Sequence, residues 1–147
     1  MAEVDVRVER VIRAPLDVVA GYAADPSNAP QWYANIESVE WRTDPPVGVG
    51  SEMDFVARFL GRRIAYTYLV EELVPGERLV MATAQGPFPM RTEYTWEPAG
   101  DGTHMTLRNT GRPSGFASVA APIMEAAIRR ATSKDLARLA QIVERRA

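Results

Sequence analysis

Residues 118–147 read SVAAPIMEAAIRRATSKDLARLAQIVERRA. With Ala121 set at zero and about 100° added per residue, Met124, Ile128, Thr132, Asp135, Leu136, Leu139, Ile142 and Val143 fall within about 60° of one line. This is a helix with one apolar face. Arg130, Lys134, Glu144 and Arg145 lie across its back, which reads as the solvated side. Roughly 25 residues at about 1.5 Å each make about 38 Å of helix, and an apolar stripe of that length needs an equally long cover. Nearly everything upstream reads as strand. The cover is therefore a large curved sheet, and the space between sheet and helix is where a functional site is expected.

Working back from the helix, Gly111-Arg112-Pro113-Ser114-Gly115 is a cluster of breakers, and Pro122 predicts an irregular or kinked start between Phe116 and Ile123. Before it, Ala99-Gly100-Asp101-Gly102 as a four-residue turn pairs Trp96 with Met105, Tyr94 with Leu107 and Thr92 with Asn109. The other face of that hairpin sets Glu97 opposite His104 and Glu93 opposite Arg108, opposite charges across neighbouring strands. A Pro75-Gly76 turn places Val70 opposite Met81, Tyr68 opposite Thr83 and Tyr66 opposite Gln85. A Gly61-Arg62 turn of type II′ pairs Phe59 with Ile64, Ala57 with Tyr66, Phe55 with Tyr68 and Met53 with Val70. Ile36 to Thr43 is a further strand, followed by a loop through Asp44-Pro45-Pro46-Val47-Gly48-Val49-Gly50. At the start, Val4, Val6 and Val8 alternate with charged residues, and Val11 with Ile12 breaks step as a bulge does. Pro15-Leu16-Asp17 opens a short helix, and Asp25-Pro26-Ser27 caps a second through Trp32 and Tyr33. The expected order is seven antiparallel strands, two short helices after the first and the long helix after the last.

The 147 residues make one domain. Its 17 basic and 19 acidic side chains are interspersed, giving a net charge of −2 with no block of one sign. That distribution argues against nucleic acid or an anionic membrane as main partner. The absence of cysteine excludes disulfides, thiolate metal sites and a cysteine nucleophile, and fits a reducing, cytoplasmic compartment. No apolar run approaches the length of a membrane span, and residues 1–10 lack the pattern of a secretion signal. The oligomeric state is not fixed by these features, and homodimerisation is left open.

The order strand, Ala14-Pro15, two short helices, Trp32, Gly48-Val49-Gly50, then Trp96-Glu97-Pro98 and Gly100-Asp101-Gly102-Thr103 ahead of a long helix with Lys134-Asp135-Leu136 and Leu139 resembles the START-like superfamily. Within it, the resemblance is to bacterial polyketide cyclase/dehydrase-like, or SRPBCC, proteins. It spans essentially the whole chain. It implies an α+β helix-grip fold, a seven-stranded sheet wrapped around the last helix with a ligand cavity between them. Lipid carriers, plant allergen-type binding proteins, hormone receptors, aromatase/cyclases and oxygenase subunits share that fold, so the resemblance does not settle the activity.

In an antiparallel meander, Gly61, the Gly86-Pro87-Phe88-Pro89 segment and the Gly111 to Phe116 loop share one end of the sheet. Leu60, Phe88 and Phe116 sit on those loops, and Ala120, Ala121, Ala127 and Ala131 on the adjoining helix leave room beside them. This end is the expected mouth of the pocket. The inward face carries Phe55, Phe59, Tyr66, Tyr68, Met81, Tyr94, Trp96, Met105 and Leu107, core residues first of all. Tyr66, Thr83, Gln85, Thr92 and Asn109 add polar groups to it, which bond one another, water or a ligand. The expected ligand contacts are thus Phe59, Tyr66, Tyr68, Thr83, Gln85, Phe88, Thr92, Tyr94, Asn109 and Phe116 from the sheet and its loops, with Met124 and Ile128 from the helix. Asp135 is the candidate general acid or base, with pairing to a sheet Arg as its plainer role.

His104, the sole histidine, is placed outward beside Glu97. With no second histidine, no cysteine and few inward carboxylates, no metal site is expected. Nor is there a nucleotide site: Gly48-Val49-Gly50 lacks a third glycine and precedes a strand, and no P-loop or Gly-x-Ser-x-Gly elbow occurs. No cofactor is expected. The leading function is binding of a hydrophobic or aromatic small molecule, lipid-like or polyketide-like, between the last helix and the sheet. The alternative is an aromatase/cyclase-like enzyme without metal or nucleotide cofactor acting in the same cavity, and a third reading is a protein-interaction module whose cavity has collapsed.

Overall fold

The structure, a computed structural model, describes residues 3–112 and 120–146. The strands are β1 (Val4–Ile12), β2 (Ile36–Trp41), β3 (Glu52–Phe59), β4 (Arg62–Val74), β5 (Arg78–Gln85), β6 (Met90–Ala99) and β7 (Gly102–Gly111). They form one antiparallel sheet in the order β1-β7-β6-β5-β4-β3-β2. Helix α1 (Leu16–Ala23), a 3₁₀ turn (Pro26–Asn28) and α2 (Ala29–Trp32) carry the chain from β1 to β2, on opposite edges of the sheet, and α3 (Ala121–Glu144) closes the fold. The sheet curls around α3 as a helix-grip fold.

Regular alternation accounts for most of the inward face. Met53, Phe55, Tyr68, Tyr94, Trp96, Met105 and Leu107 are buried there, while Phe59 and Tyr66 are half-buried. From the helix, Met124, Thr132, Asp135, Leu136, Leu139, Ala140 and Val143 are buried, and Ile128 and Ile142 are partly so. Each fully buried aliphatic side chain contributes roughly 1.5–3 kcal/mol relative to exposure, so this stripe is the main reason α3 docks where it does. Pro122 lies in the first turn of α3 and does not kink it. Its missing N–H is not needed there, so the helix begins at Ala121 without a break. The irregular start expected over residues 116–119 lies outside the described residues, as does most of the breaker cluster.

The β6–β7 register is the expected one on both faces, including Glu97 with His104 and Glu93 with Arg108. Three other expectations are corrected. The β3–β4 turn is Leu60-Gly61, with φ of 49° and 80°, so Phe59 pairs with Arg62, Ala57 with Ile64, Phe55 with Tyr66 and Met53 with Tyr68. The slip is two residues, which leaves every side chain on its expected face. In β4 a bulge between Thr67 and Tyr68 shifts the β5 pairing, so Gln85 meets Thr67 instead of Tyr66 and is exposed. Finally, β1 pairs with β7 without a register shift. The break in its pattern is a polar residue, Arg10, on an inward rung; Val11 keeps its outward place at 58% exposure and Ile12 is fully buried. A second β4 irregularity lies between Val70 and Glu72 and one in β2 between Ile36 and Ser38. Such bulges increase local twist and help a seven-stranded sheet to curl.

The free edge of β1 is covered by α3. Glu125 accepts from the Asp5 N–H at 3.0 Å, Arg129 donates to the Arg7 carbonyl at 3.0 Å, and Glu144 accepts from the Arg13 N–H at 3.0 Å. Four helix residues advance about 6 Å and two strand residues about 6.6 Å, so the two elements run parallel in near register. Glu144, placed by periodicity on the solvated back, belongs instead to this seam.

Candidate functional site

The sheet and α3 do not close on each other. Between them lies a cavity of about 180 Å³. Phe55, Ala57 and Phe59 of β3, Ile64, Tyr66 and Tyr68 of β4, and Leu79 and Met81 of β5 form one wall. Thr92 and Tyr94 of β6 and Asn109 of β7 form the next, and Met124, Ile128, Ala131, Thr132 and Asp135 line it from α3. The short helices supply the remaining side through Ala23, Ala29 and Tyr33.

The expected ligand contacts divide on this geometry. Phe59, Tyr66, Tyr68, Thr92, Tyr94 and Asn109 line the cavity from the sheet, and Phe88, Met124 and Ile128 line it near the start of the helix. Thr83 does not line it. Its hydroxyl accepts from the Met90 N–H at 3.0 Å and is 3.4 Å from the Met90 carbonyl, bridging across the β5–β6 connection. Gln85 is outside for the reason given by the β4 bulge. Phe116 lies outside the described residues. At the expected mouth, Leu60 is 50% exposed and turned away, whereas Phe88 is buried with Val4, Ile64 and Met124 in a small apolar cluster.

Polar groups in the cavity form two short networks. Tyr68 and Thr92 share a hydrogen bond of 2.7 Å, and the Thr92 hydroxyl donates to Asn109 Oδ1 at 2.8 Å. On the helix side, the Tyr33 and Tyr94 hydroxyls lie 2.6 Å apart. Burial pushes all of these phenols away from ionisation: Tyr68 up to about 12, and Tyr33, Tyr66 and Tyr94 well above the ordinary tyrosine value. They act as neutral donors and acceptors.

Asp135 is 3% exposed, and its Oδ1 accepts from the Ala34 N–H at 3.0 Å. No arginine pairs with it among the described residues. Loss of water around the carboxyl raises its pKa to about 6, with the Ala34 bond acting in the opposite direction. Thr132, one turn before it, commits its hydroxyl to the Ile128 carbonyl at 2.8 Å.

Tyr33 is the site residue that periodicity misses. It sits in the irregular segment after α2, where no pattern assigns a face, and its ring lies 4.1 Å from fully buried Trp32. The adjacent aromatic pair Trp32-Tyr33 was the available signal. His104 is on the outer face, 3.0 Å from Glu97 and 3.6 Å from Glu9. Among the described residues no group of three His, Asp or Glu side chains could hold a metal ion, and no helix is long and apolar enough to cross a membrane.

A curled sheet gripping a helix over a partly polar cavity defines a START-like protein. The chain belongs to the family described as polyketide cyclase/dehydrase and lipid transport, whose model matches residues 3–144. Solved structures with the same fold include the protein TTHA0849 from Thermus thermophilus, at 21% identity and a TM-score of 0.82 over 97% of this chain and 99% of that one. A START superfamily protein from Mycobacterium smegmatis is 17% identical, with a TM-score of 0.79 over 99% of each chain. The Zhui aromatase/cyclase from Streptomyces sp. R1128 is 19% identical, with a TM-score of 0.78 over 99% of this chain and 96% of that one. No curated protein matches the sequence.

Proposed function

We propose that this protein binds a hydrophobic or aromatic small molecule in the cavity between α3 and the sheet. The observation that carries the reading is the cavity itself: about 180 Å³ lined mainly by aromatic and aliphatic side chains, with a few convergent hydroxyl and amide groups. Apolar walls with sparse polar groups are what recognition of a small amphipathic molecule requires. The lining residues named above are its contacts, and the cysteine-free composition fits action in a reducing cytoplasm. Native mass spectrometry of the purified protein, followed by denaturing extraction, tests the reading. A near-stoichiometric lipid or aromatic compound is the expected result. An empty protein that gains no thermal stability from a panel of hydrophobic compounds overturns it.

One observation favours a second reading, an aromatase/cyclase-like enzyme. Asp135 places a buried carboxyl with a pKa raised to about 6 on the cavity wall, which suits proton transfer during ring closure or dehydration. Under that reading the protein converts a poly-β-ketone thioester analogue into ring products, and Asp135→Asn slows the conversion by about a hundredfold. Equal rates with and without the protein dispose of it.

A further inference from the structure

The hydrogen inventory of the cavity restricts what can fill it, and this deepens the binding reading on which it rests. Tyr68, Thr92 and Asn109 together carry four polar side-chain hydrogens. Two hydrogen bonds, of 2.7 and 2.8 Å, join the three groups. Because the Thr92 hydroxyl donates to Asn109, the Tyr68 hydroxyl donates to Thr92, and the two hydrogens left over are those of the Asn109 amide. The Tyr33–Tyr94 bond uses one of that pair's two hydrogens and leaves the other. Tyr66 has no hydrogen-bond partner for its hydroxyl among the described residues, although its ring is packed 5.4 Å from Phe55 and 4.9 Å from Tyr68. All six side chains line the cavity. These six side chains therefore hold four hydrogens that no bond among them uses, three of them on the β4–β6–β7 side, while the Asp135 carboxylate is an acceptor on the helix side. A molecule that displaces solvent from these groups either accepts their hydrogens or leaves them buried and unpaired, which weakens binding about tenfold or more for each.

Charge narrows the class further. The charged residues among the described lining are Arg91 and Asp135. Arg91 is half exposed and lies 3.5 Å from Glu71, while Asp135 is buried. An anionic ligand would meet a carboxylate and no uncommitted cation. Size completes the argument. A cavity of about 150 Å³ holds benzene, and pockets for drug-sized molecules start at about 300 Å³. At about 180 Å³ this one accommodates a single substituted ring.

We propose that the ligand is an uncharged single-ring compound bearing a carbonyl-type acceptor, with that acceptor seated against the Tyr66 hydroxyl and the Asn109 amide. The class excludes fatty acids, fused three-ring ketones and aromatic carboxylates as preferred ligands of the cavity in this form.

Four probes separate the elements of the proposal: acetophenone, ethylbenzene of nearly the same shape without the acceptor, benzoate, and the three-ring ketone anthrone. Calorimetric titration at pH 8 is expected to rank acetophenone at least tenfold tighter than ethylbenzene, with benzoate and anthrone weaker still. Tyr66→Phe removes an unbonded hydroxyl without stranding a partner, so it should loosen acetophenone several-fold and tighten ethylbenzene, which no longer buries that hydroxyl unpaired. Ethylbenzene also reports that the cavity of the variant is intact. Equal binding of ethylbenzene and acetophenone overturns the acceptor assignment, and tightest binding of benzoate overturns the neutral one. Anthrone binding while the single rings do not overturns the size assignment and leaves the binding reading standing. If no probe binds and nothing co-purifies, the binding reading fails and this proposal with it.

Discussion

Asp135 on α3 and Ala34 in the α2–β2 connection are 101 residues apart, and the Asp135 carboxylate accepts the Ala34 N–H at 3.0 Å. The bond ties the middle of the last helix to the segment that carries Tyr33 into the cavity. A charge-assisted bond of this kind is favourable, but burial of the carboxylate outweighs it, and the pKa rises from 3.8 to about 6.

The sign of the resulting pH dependence is fixed by that shift. In the unfolded chain the group titrates near 3.8 and in the folded protein near 6, so the folded form holds the proton more tightly through that window. The stabilisation is complete below the unfolded pKa and is lost as pH rises through the folded one. About two pH units correspond to about 3 kcal/mol. Asp135→Asn keeps an oxygen for the Ala34 N–H and removes the charge. Relative to wild type, the variant should gain up to about 3 kcal/mol between about pH 4 and pH 7, read from urea unfolding at several pH values. Parallel curves for the two proteins would show that the carboxyl titrates normally.

A backbone strain at the β3–β4 turn is removable. Leu60 adopts φ 49° beside Gly61 at 80°, a left-handed pair of the kind that Asn-Gly fills in hairpins, and it is half exposed. Leu60→Asn should raise stability by about 0.5–1 kcal/mol, seen as a higher melting temperature. A lower melting temperature would indicate that the leucine side chain contributes packing its exposure does not suggest.

The same turn explains what could be read from the residues alone. Glycine in the first central place is a sound II′ signal, so Gly61-Arg62 was expected, whereas the chain tolerates a leucine at positive φ and turns one residue earlier. Alternation cannot detect the error, because a slip of two residues preserves both faces. The β6–β7 hairpin was legible because charge pairing on its outer face fixed the same register as apolar pairing within. Gln85 was misplaced because a bulge leaves no mark on composition. Asp135 could be found from its position on the helix, but its partner could not, since Ala34 is a backbone donor in an irregular segment. The cavity followed from family resemblance, and its donor surplus required knowing which hydroxyls already meet one another.

Gly102, at the start of β7, lies against the end of β1. A Cβ there would fall 2.5 Å from the Ile12 carbonyl oxygen, a backbone atom with no rotamer through which to retreat. Gly102→Ala must push the two strands apart at Ile12–Thr103, where both side chains are fully buried and the Thr103 hydroxyl donates to the Ala14 carbonyl at 2.8 Å. The expected cost is about 1–3 kcal/mol by denaturant unfolding. A neutral substitution would mean that this corner is looser than its packing.

The seam between α3 and β1 protects an edge that would otherwise offer unpaired backbone groups to another chain. Glu125 and Glu144 satisfy the Asp5 and Arg13 N–H groups, and Arg129 satisfies the Arg7 carbonyl between them. These bonds are exposed, so each contributes only about 0.5–1 kcal/mol. Their larger effect is on association. The double variant Glu125→Ala with Glu144→Ala leaves the buried stripe of α3 untouched and should remain folded, while light scattering at rising concentration should show self-association absent from wild type. Adding Arg129→Ala frees the intervening carbonyl and should strengthen the effect. A monomeric triple variant would show that the apolar stripe alone holds α3 close enough to block the edge, with the polar side chains serving only to set the helix's rotation.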